Sequence, residues 1–187
     1  MTDLLGLQKK FILEHLREGD VAVDFTMGNG HDTVFLSKTV GESGKVYAFD
    51  IQPDALASTE QNLIESSCPF NWHLVCASHD RADEYVKEPI KAGMFNLGYL
   101  PGANRKQLTT KRETTLPAVR KAIGMLGEDA VLCVAVYPGH EEGRLEGLEL
   151  IKYFESLSRF EYGITEIRMV NSSESPFFVL IETKEKK

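Results

Sequence analysis

Apolar residues along this chain switch repeatedly between a helical and a strand period. Leu4, Leu7, Phe11, Ile12 and Leu16 recur at three- and four-residue spacing, which predicts an N-terminal helix reaching about Arg17. Residues 21–25 form a short apolar run interrupted only by Asp24, the pattern of a buried strand. A helix over residues 32–39 follows and is ended by Gly41 and Gly44. A strand over residues 46–50 comes next, then a helix opened by Pro53 and running through Leu56 and Leu63. The second half repeats the alternation. Strands are expected over residues 72–76, 93–97 and 130–137, with a short helix over 82–86 and a longer one from Glu113 or Thr114 to about Leu126. Leu145, Leu148, Ile151 and Phe154 are read as the buried face of a further helix, and strands over 161–170 and 177–182 close the chain as a hairpin-like pair.

Strands alternating with helices imply a Rossmann-like α/β fold with helices on both faces of the sheet. The expected sheet has seven strands and is mostly parallel, with one antiparallel strand. The whole chain, residues 1–187, reads as one domain with its first 18 residues forming a helix packed on it. In such sheets ligands lie beyond the carboxyl ends of the strands, near the switch point beside the first strand. The loops after Phe25, Asp50, Cys76, Leu97 and Tyr137 are therefore where chemistry is expected.

The loop after the first strand carries the strongest signal. Asp24, Thr26, Gly28, Asn29, Gly30, Asp32 and Thr33 place two glycines between two acids at a strand-to-helix turn. Glycines allow close approach of backbone to a ligand. The third glycine of a dinucleotide fingerprint is missing, because His31, Asp32 and Thr33 follow Gly30. Carboxylates beside the loop suit a ligand with a cationic amino-acid end better than a pyrophosphate. S-adenosyl-L-methionine carries an ammonium, a sulfonium and a ribose, and is the expected cofactor. A nicotinamide or flavin site, or a turn with no ligand in which Asp24 and Asp32 serve as turn and cap residues, are the alternatives. Asp50, at the end of the second strand, is placed to accept from ribose hydroxyls, with Ile51 against the adenine and Gln52 beside it. Ser78 and His79, after the third strand, fall near the adenine edge.

After the fourth strand, Asn96, Leu97, Gly98, Tyr99 and Pro101 combine an amide, an aromatic and a rigid turn. Amide and backbone carbonyls there can grip a nitrogen nucleophile while Tyr99 stacks on a planar base. Asn96 and Tyr99 are the candidate catalytic residues. The alternative is a Gly/Pro turn with a packed tyrosine. His140, after the fifth strand, is read either as a substrate contact or as the cap of the next helix.

Composition narrows the partners. The 187 residues are 42% hydrophobic and 26% charged, as in a soluble globular protein, and no apolar run approaches the ~20 residues that span a bilayer. The N-terminus does not read as a secretory signal, so a cytoplasmic location is expected. Cys68, Cys76 and Cys133 are scattered without metal-ligand spacing, and Cys76 and Cys133 are read as small buried residues. A net charge of −7 argues against sequence-blind nucleic-acid binding over the whole surface. One segment runs the other way. Between Pro101 and Lys121 six bases (Arg105, Lys106, Lys111, Arg112, Arg120 and Lys121) stand against one acid, Glu113. It directly follows the Asn96 loop, where a nucleic-acid backbone would run. Arg105, Lys106, Lys111 and Arg112 are the expected substrate contacts.

The strings around Asp24–Thr33, Tyr47–Gln52, Phe95–Pro101 and Tyr137–His140 resemble the small bacterial "putative rRNA methylase" family over nearly the whole chain. That resemblance implies a class I S-adenosylmethionine-dependent methyltransferase that methylates the aminomethyl nitrogen of the wobble 5-aminomethyl-2-thiouridine, with the anticodon stem-loop of tRNA as partner. No metal is implied. The chain departs from the family pattern in two places, with Gln8-Lys9 where members often carry Ser-His and Ala77-Ser78 where they often carry Asp-Gly. Other readings are an rRNA base methyltransferase, an N-methyltransferase of small amines, and a cofactor-binding module without turnover. The outer faces of the last two long helices offer a surface for a homodimer.

Overall fold

A computed structural model describes residues 3–97 and 112–184, arranged on one seven-stranded sheet. In chain order the elements are α1 (Leu4–His15), β1 (Val21–Asp24), α2 (His31–Val40), β2 (Lys45–Asp50), α3 (Pro53–Glu65), β3 (Trp72–Cys76), α4 (Ala82–Tyr85), β4 (Ile90–Asn96), α5 (Arg112–Met125), β5 (Leu126–Val136), α6 (Glu141–Glu155), β6 (Tyr162–Ile167) and β7 (Phe177–Thr183). A short 3-10 turn, His79–Arg81, precedes α4. The strand order is β3-β2-β1-β4-β5-β7-β6. β1 to β5 are mutually parallel, and β7 runs antiparallel to both neighbours, β5 and β6. The chain reverses its direction of growth between β1 and β4, so the crevice above those two strands is where a ligand belongs.

Two apolar layers hold the helices to the sheet. One includes Val23, Phe49, Phe95, Leu132, Val134 and Val179 under α4, α5 and α6. The other includes Ala22, Val46, Met94, Val131, Cys133 and Phe178 under α1 and α2. Beneath the crevice Phe25 stacks on Phe95 with ring centroids 4.3 Å apart. Gly93 permits that close fit, because a Cβ there would lie 2.6 Å from Leu132 and 3.0 Å from Phe25.

Several elements differ from expectation. β5 begins at Leu126, directly after α5, whereas residues 127–129 read as loop. Leu126 pairs with Ile90 at the start of β4, a register shift follows between Ile90 and Ala92, and Asp129 has φ +47. α6 buries Gly143, Glu146, Gly147, Leu150 and Phe154, while Leu148 is 57% exposed. Its inner face is built on small residues that approach β5 closely, with Glu146 accepting from Thr115 Oγ1 at 2.6 Å. Apolar periodicity cannot register a stripe made of glycine and a bonded glutamate. Cys133 is buried, but Cys76 is exposed because β3 is an edge strand whose end faces outward. No described helix is long and apolar enough to cross a membrane.

Candidate active site

The turn after β1 is fixed from three sides. Asp24, 1% exposed, accepts from the Thr26 N–H at 3.1 Å and from Thr33 Oγ1 at 2.7 Å, tying the strand end to the first turn of α2. Gly28 and Gly30 have φ of +53 and +81, in the left-handed region that glycine tolerates. A Cβ on Gly30 would also lie within 2.9 Å of Thr59, so α2 and α3 meet only because none is there. α3 braces the loop: Thr59 Oγ1 donates to the Gly28 carbonyl, Asn62 Nδ2 to the Asn29 carbonyl, and Ser58 Oγ to Asn29 Oδ1. The Gly28 N–H donates to Asp50 Oδ2 at 3.0 Å, joining the tip of the first loop to the end of β2.

Asp50 Oδ1 accepts from the Gln52 N–H at 2.9 Å, so each carboxylate oxygen is oriented by one backbone donor and keeps a free lone pair. Ile51 beside it is 56% exposed, an apolar surface at the mouth of the crevice. Across from it, His79 Nδ1–H donates to the Phe25 carbonyl at 3.2 Å, while its Nε2 is buried without a partner. Burial holds the imidazole below its usual pKa. The ring is therefore neutral at pH 7, with an unused acceptor aimed away from Phe25. Ser78 caps the 3-10 turn without a side-chain bond.

The acids are unequal. Burial, and next the charge of Asp32, push the Asp24 carboxyl up to about 7, against the bonds from Thr33 and Thr26. Asp32 is held by Lys9 Nζ at 3.2 Å and by Asn96 Nδ2. The Asn96 N–H donates to Thr26 Oγ1 at 2.7 Å, and Tyr137 OH lies 3.5 Å from Asn96 Oδ1. Leu97 is buried, and its N–H bonds the Ala135 carbonyl, which leaves only its backbone carbonyl for a ligand. His140 caps α6, its Nδ1 accepting from the Gly143 N–H at 3.0 Å. That bond takes Nδ1 out of proton transfer and leaves Nε2 facing outward.

Asp24, Thr26, Gly28, Asn29, Gly30, Asp32, Thr33, Asp50, Ile51, Gln52, Ser78, His79, Asn96 and Leu97 thus gather at the carboxyl ends of β1 to β4. Asp24 and Thr33 lie inside as supports rather than on the surface of the crevice. Gly98, Tyr99, Pro101, Arg105, Lys106 and Lys111 lie outside the described residues, as does the Arg112 side chain. Sequence reasoning missed Lys9 and Tyr137 as site residues. Lys9 lies on a helix remote in sequence from every strand-end loop, and only the end of β5 marked Tyr137.

The residues fit S-adenosylmethionine. An oriented carboxylate with free lone pairs suits a ribose, an exposed isoleucine and an orphan acceptor suit a purine, and Asp32, with Asp24 buried behind it, suits a cationic tail.

Comparison with known proteins agrees. Residues 46–182 match the family described as "Putative rRNA methylase". The crystal structure of a "putative rRNA-methylase" from Clostridium thermocellum superposes with a TM-score of 0.93 at 34% identity, covering 98% of each chain. A "putative methyltransferase" from Streptococcus mutans, solved in complex with SAH, gives 0.88 at 34% identity, covering 98% of this chain and 99% of that one. The Arabidopsis thaliana chloroplastic tRNA (mnm(5)s(2)U34)-methyltransferase is 36% identical over 184 residues, covering 91% of this chain. The chain spans 65% of the length of that plant relative.

Proposed function

This chain belongs to the "Putative rRNA methylase" family, S-adenosylmethionine-dependent methyltransferases of the class I fold, and from that membership we propose that it N-methylates the aminomethyl group of 5-aminomethyl-2-thiouridine at the wobble position of tRNA. The observation that carries the substrate is the 36% identity to the plant enzyme named for the product of that reaction. When bound, S-adenosylmethionine supplies an electrophilic methyl on a sulfonium.

The chain's own residues then have to orient and dehydrate. Asp50 offers its two free lone pairs to the ribose hydroxyls, Ile51 packs on the adenine face, and His79 Nε2 accepts from the adenine amine. Gly28 and Gly30 bring backbone close to the cofactor, with Asn29 and Gln52 held behind them by α3. Asp24 and Asp32 set a negative potential around the cationic tail. On the substrate side, Asn96 Oδ1 and the Leu97 carbonyl accept from the amine nitrogen, with Gly98 and Tyr99 completing the pocket and Pro101 stiffening it. Removal from water lowers the pKa of the amine and favours the nucleophilic free base. Positioning of amine against methyl supplies most of the acceleration. His140 Nε2 and the bases Arg105, Lys106, Lys111 and Arg112 contact the anticodon stem-loop.

The test is incubation of the purified protein with labelled S-adenosylmethionine and bulk tRNA from a strain lacking this gene, followed by nucleoside mass spectrometry. Gain of one methyl on aminomethyl-thiouridine is the expected result. Cofactor binding with no product in tRNA would overturn the reading and direct the search to ribosomal RNA, then to small amines. Asn96→Ala should abolish turnover with cofactor affinity within a few-fold of wild type.

A further inference from the structure

One side chain at the crevice does not come from a strand-end loop. Lys9, on α1, places Nζ 3.2 Å from Asp32 Oδ1 and 5.2 Å above the Phe35 ring. The other oxygen of Asp32 accepts from Asn96 Nδ2, and Tyr137 OH lies 3.5 Å beyond, at Asn96 Oδ1. This order fixes the direction of the amide. An ionised carboxylate only accepts, so Nδ2 faces Asp32 and Oδ1 faces away from it. Oδ1 has two lone pairs and Tyr137 engages one, which leaves one for an N–H donor.

α1 is anchored well enough to hold a side chain in place. Asp3 accepts from the Gly6 N–H at its start, and Ile12 and Leu16 are buried. Near its end His15 lies 3.0 Å from Asp129 Oδ1 through one ring nitrogen and 3.1 Å from Glu182 Oε1 through the other.

We propose that Lys9 is a positioning residue for methyl transfer, its ammonium holding the Asp32 carboxylate in place so that Asp32 holds the Asn96 amide with Oδ1 toward the substrate amine. This rests on the amine N-methylation reading above. If Asp32 swung away, Nδ2 would lose its acceptor and the amide could turn its NH2 toward the amine, setting donor against donor. The titratable and charged groups facing Asp32 are Lys9 from α1, Asp24 from β1, Cys133 within β5 and Tyr137 just after it. Among the described residues Lys9 is the cation in that set, and its removal leaves Asp32 beside a second carboxyl.

The experiment compares wild type with Lys9→Met, which keeps an apolar stem on Phe35, and Lys9→Arg, which keeps the charge. In Lys9→Met, kcat on the tRNA should fall about 10- to 100-fold, while the dissociation constant for S-adenosylmethionine stays within about threefold. Lys9→Arg should recover most of the rate. The Asn96 side-chain amide resonances in a 15N spectrum recorded without substrate should shift in Lys9→Met and return to the wild-type position in Lys9→Arg. Wild-type kcat in Lys9→Met, or unmoved Asn96 amide resonances, would overturn the proposal. Absence of wild-type turnover on tRNA would overturn the substrate reading alone, since the Asn96 amide resonances still decide the role of Lys9.

Discussion

Asp24 is where stability and the proposed cofactor binding would pull in opposite directions. Its carboxyl is pushed up to about 7 by burial in the folded chain and returns to 3.8 on unfolding. The folded state therefore holds the proton more tightly. The stability this confers is complete below about pH 4 and is lost as the pH rises through about 7. Asp24→Asn removes the ionisation and keeps both contacts, since its amide oxygen can accept from the Thr26 N–H and its NH2 can donate to Thr33 Oγ1. In calorimetry at pH 8 this variant should melt above the cofactor-free wild type, by about 2–4 °C for each kcal/mol relieved. Titration calorimetry should show the reverse for function. Wild-type affinity for S-adenosylmethionine should rise between pH 6 and 7.5 as Asp24 ionises against the ligand's positive charge, and the variant should bind weakly and without that slope. A flat wild-type profile would show that Asp24 does not sense the ligand.

At the level of elements, α6 and α5 give paired expectations from two glycines. A Cβ on Gly143 would lie 2.2 Å from the Tyr137 carbonyl and 2.9 Å from the His140 ring, so Gly143→Ala must push the start of α6 away from the loop that carries both residues. Overpacking of this kind costs about 1–3 kcal/mol. Turnover should fall along with the urea midpoint, because Tyr137 also reaches Asn96. Gly124, in the last turn of α5, has open space around its Cβ position, and Gly124→Ala should raise stability by about 0.5–1 kcal/mol, seen as a higher urea midpoint, with no loss of turnover. A midpoint unchanged in Gly143→Ala would mean that the loop yields freely. These elements also show what the sequence could and could not disclose. The parallel strands announced themselves as apolar runs, and Asp24, Gly28, Gly30, Asp50 and Asn96 stood at the ends of those runs. The inner face of α6 was hidden, because glycines and a glutamate bonded to Thr115 fill it where leucines would be expected. The start of β5 was hidden because its pairing comes from the neighbouring β4 and not from its own pattern. The Lys9–Asp32 contact joins residues on two helices that no local period relates.

For the whole molecule the issue is how a chain of net charge −7 would engage a polyanion. Uniform attraction is ruled out by the sign, so association would depend on a local surface whose field exceeds the background within a Debye length of about 10 Å. The segment between Pro101 and Lys121, with six bases against one acid, follows directly on the Asn96 loop and would set the RNA backbone beside the pocket. Each phosphate neutralised there releases counterions, so kcat/KM on tRNA should fall steeply with salt. About five contacts would give a loss on the order of a hundred-fold between 50 and 200 mM. Binding of S-adenosylmethionine, a ligand without phosphate, should change far less over the same range. Replacing Arg105 and Lys106 with glutamate should weaken tRNA turnover at low salt and flatten the slope, with cofactor affinity unchanged. A wild-type slope near zero, with turnover intact, would mean that the RNA is held by its bases and that the basic segment is only a solvated surface.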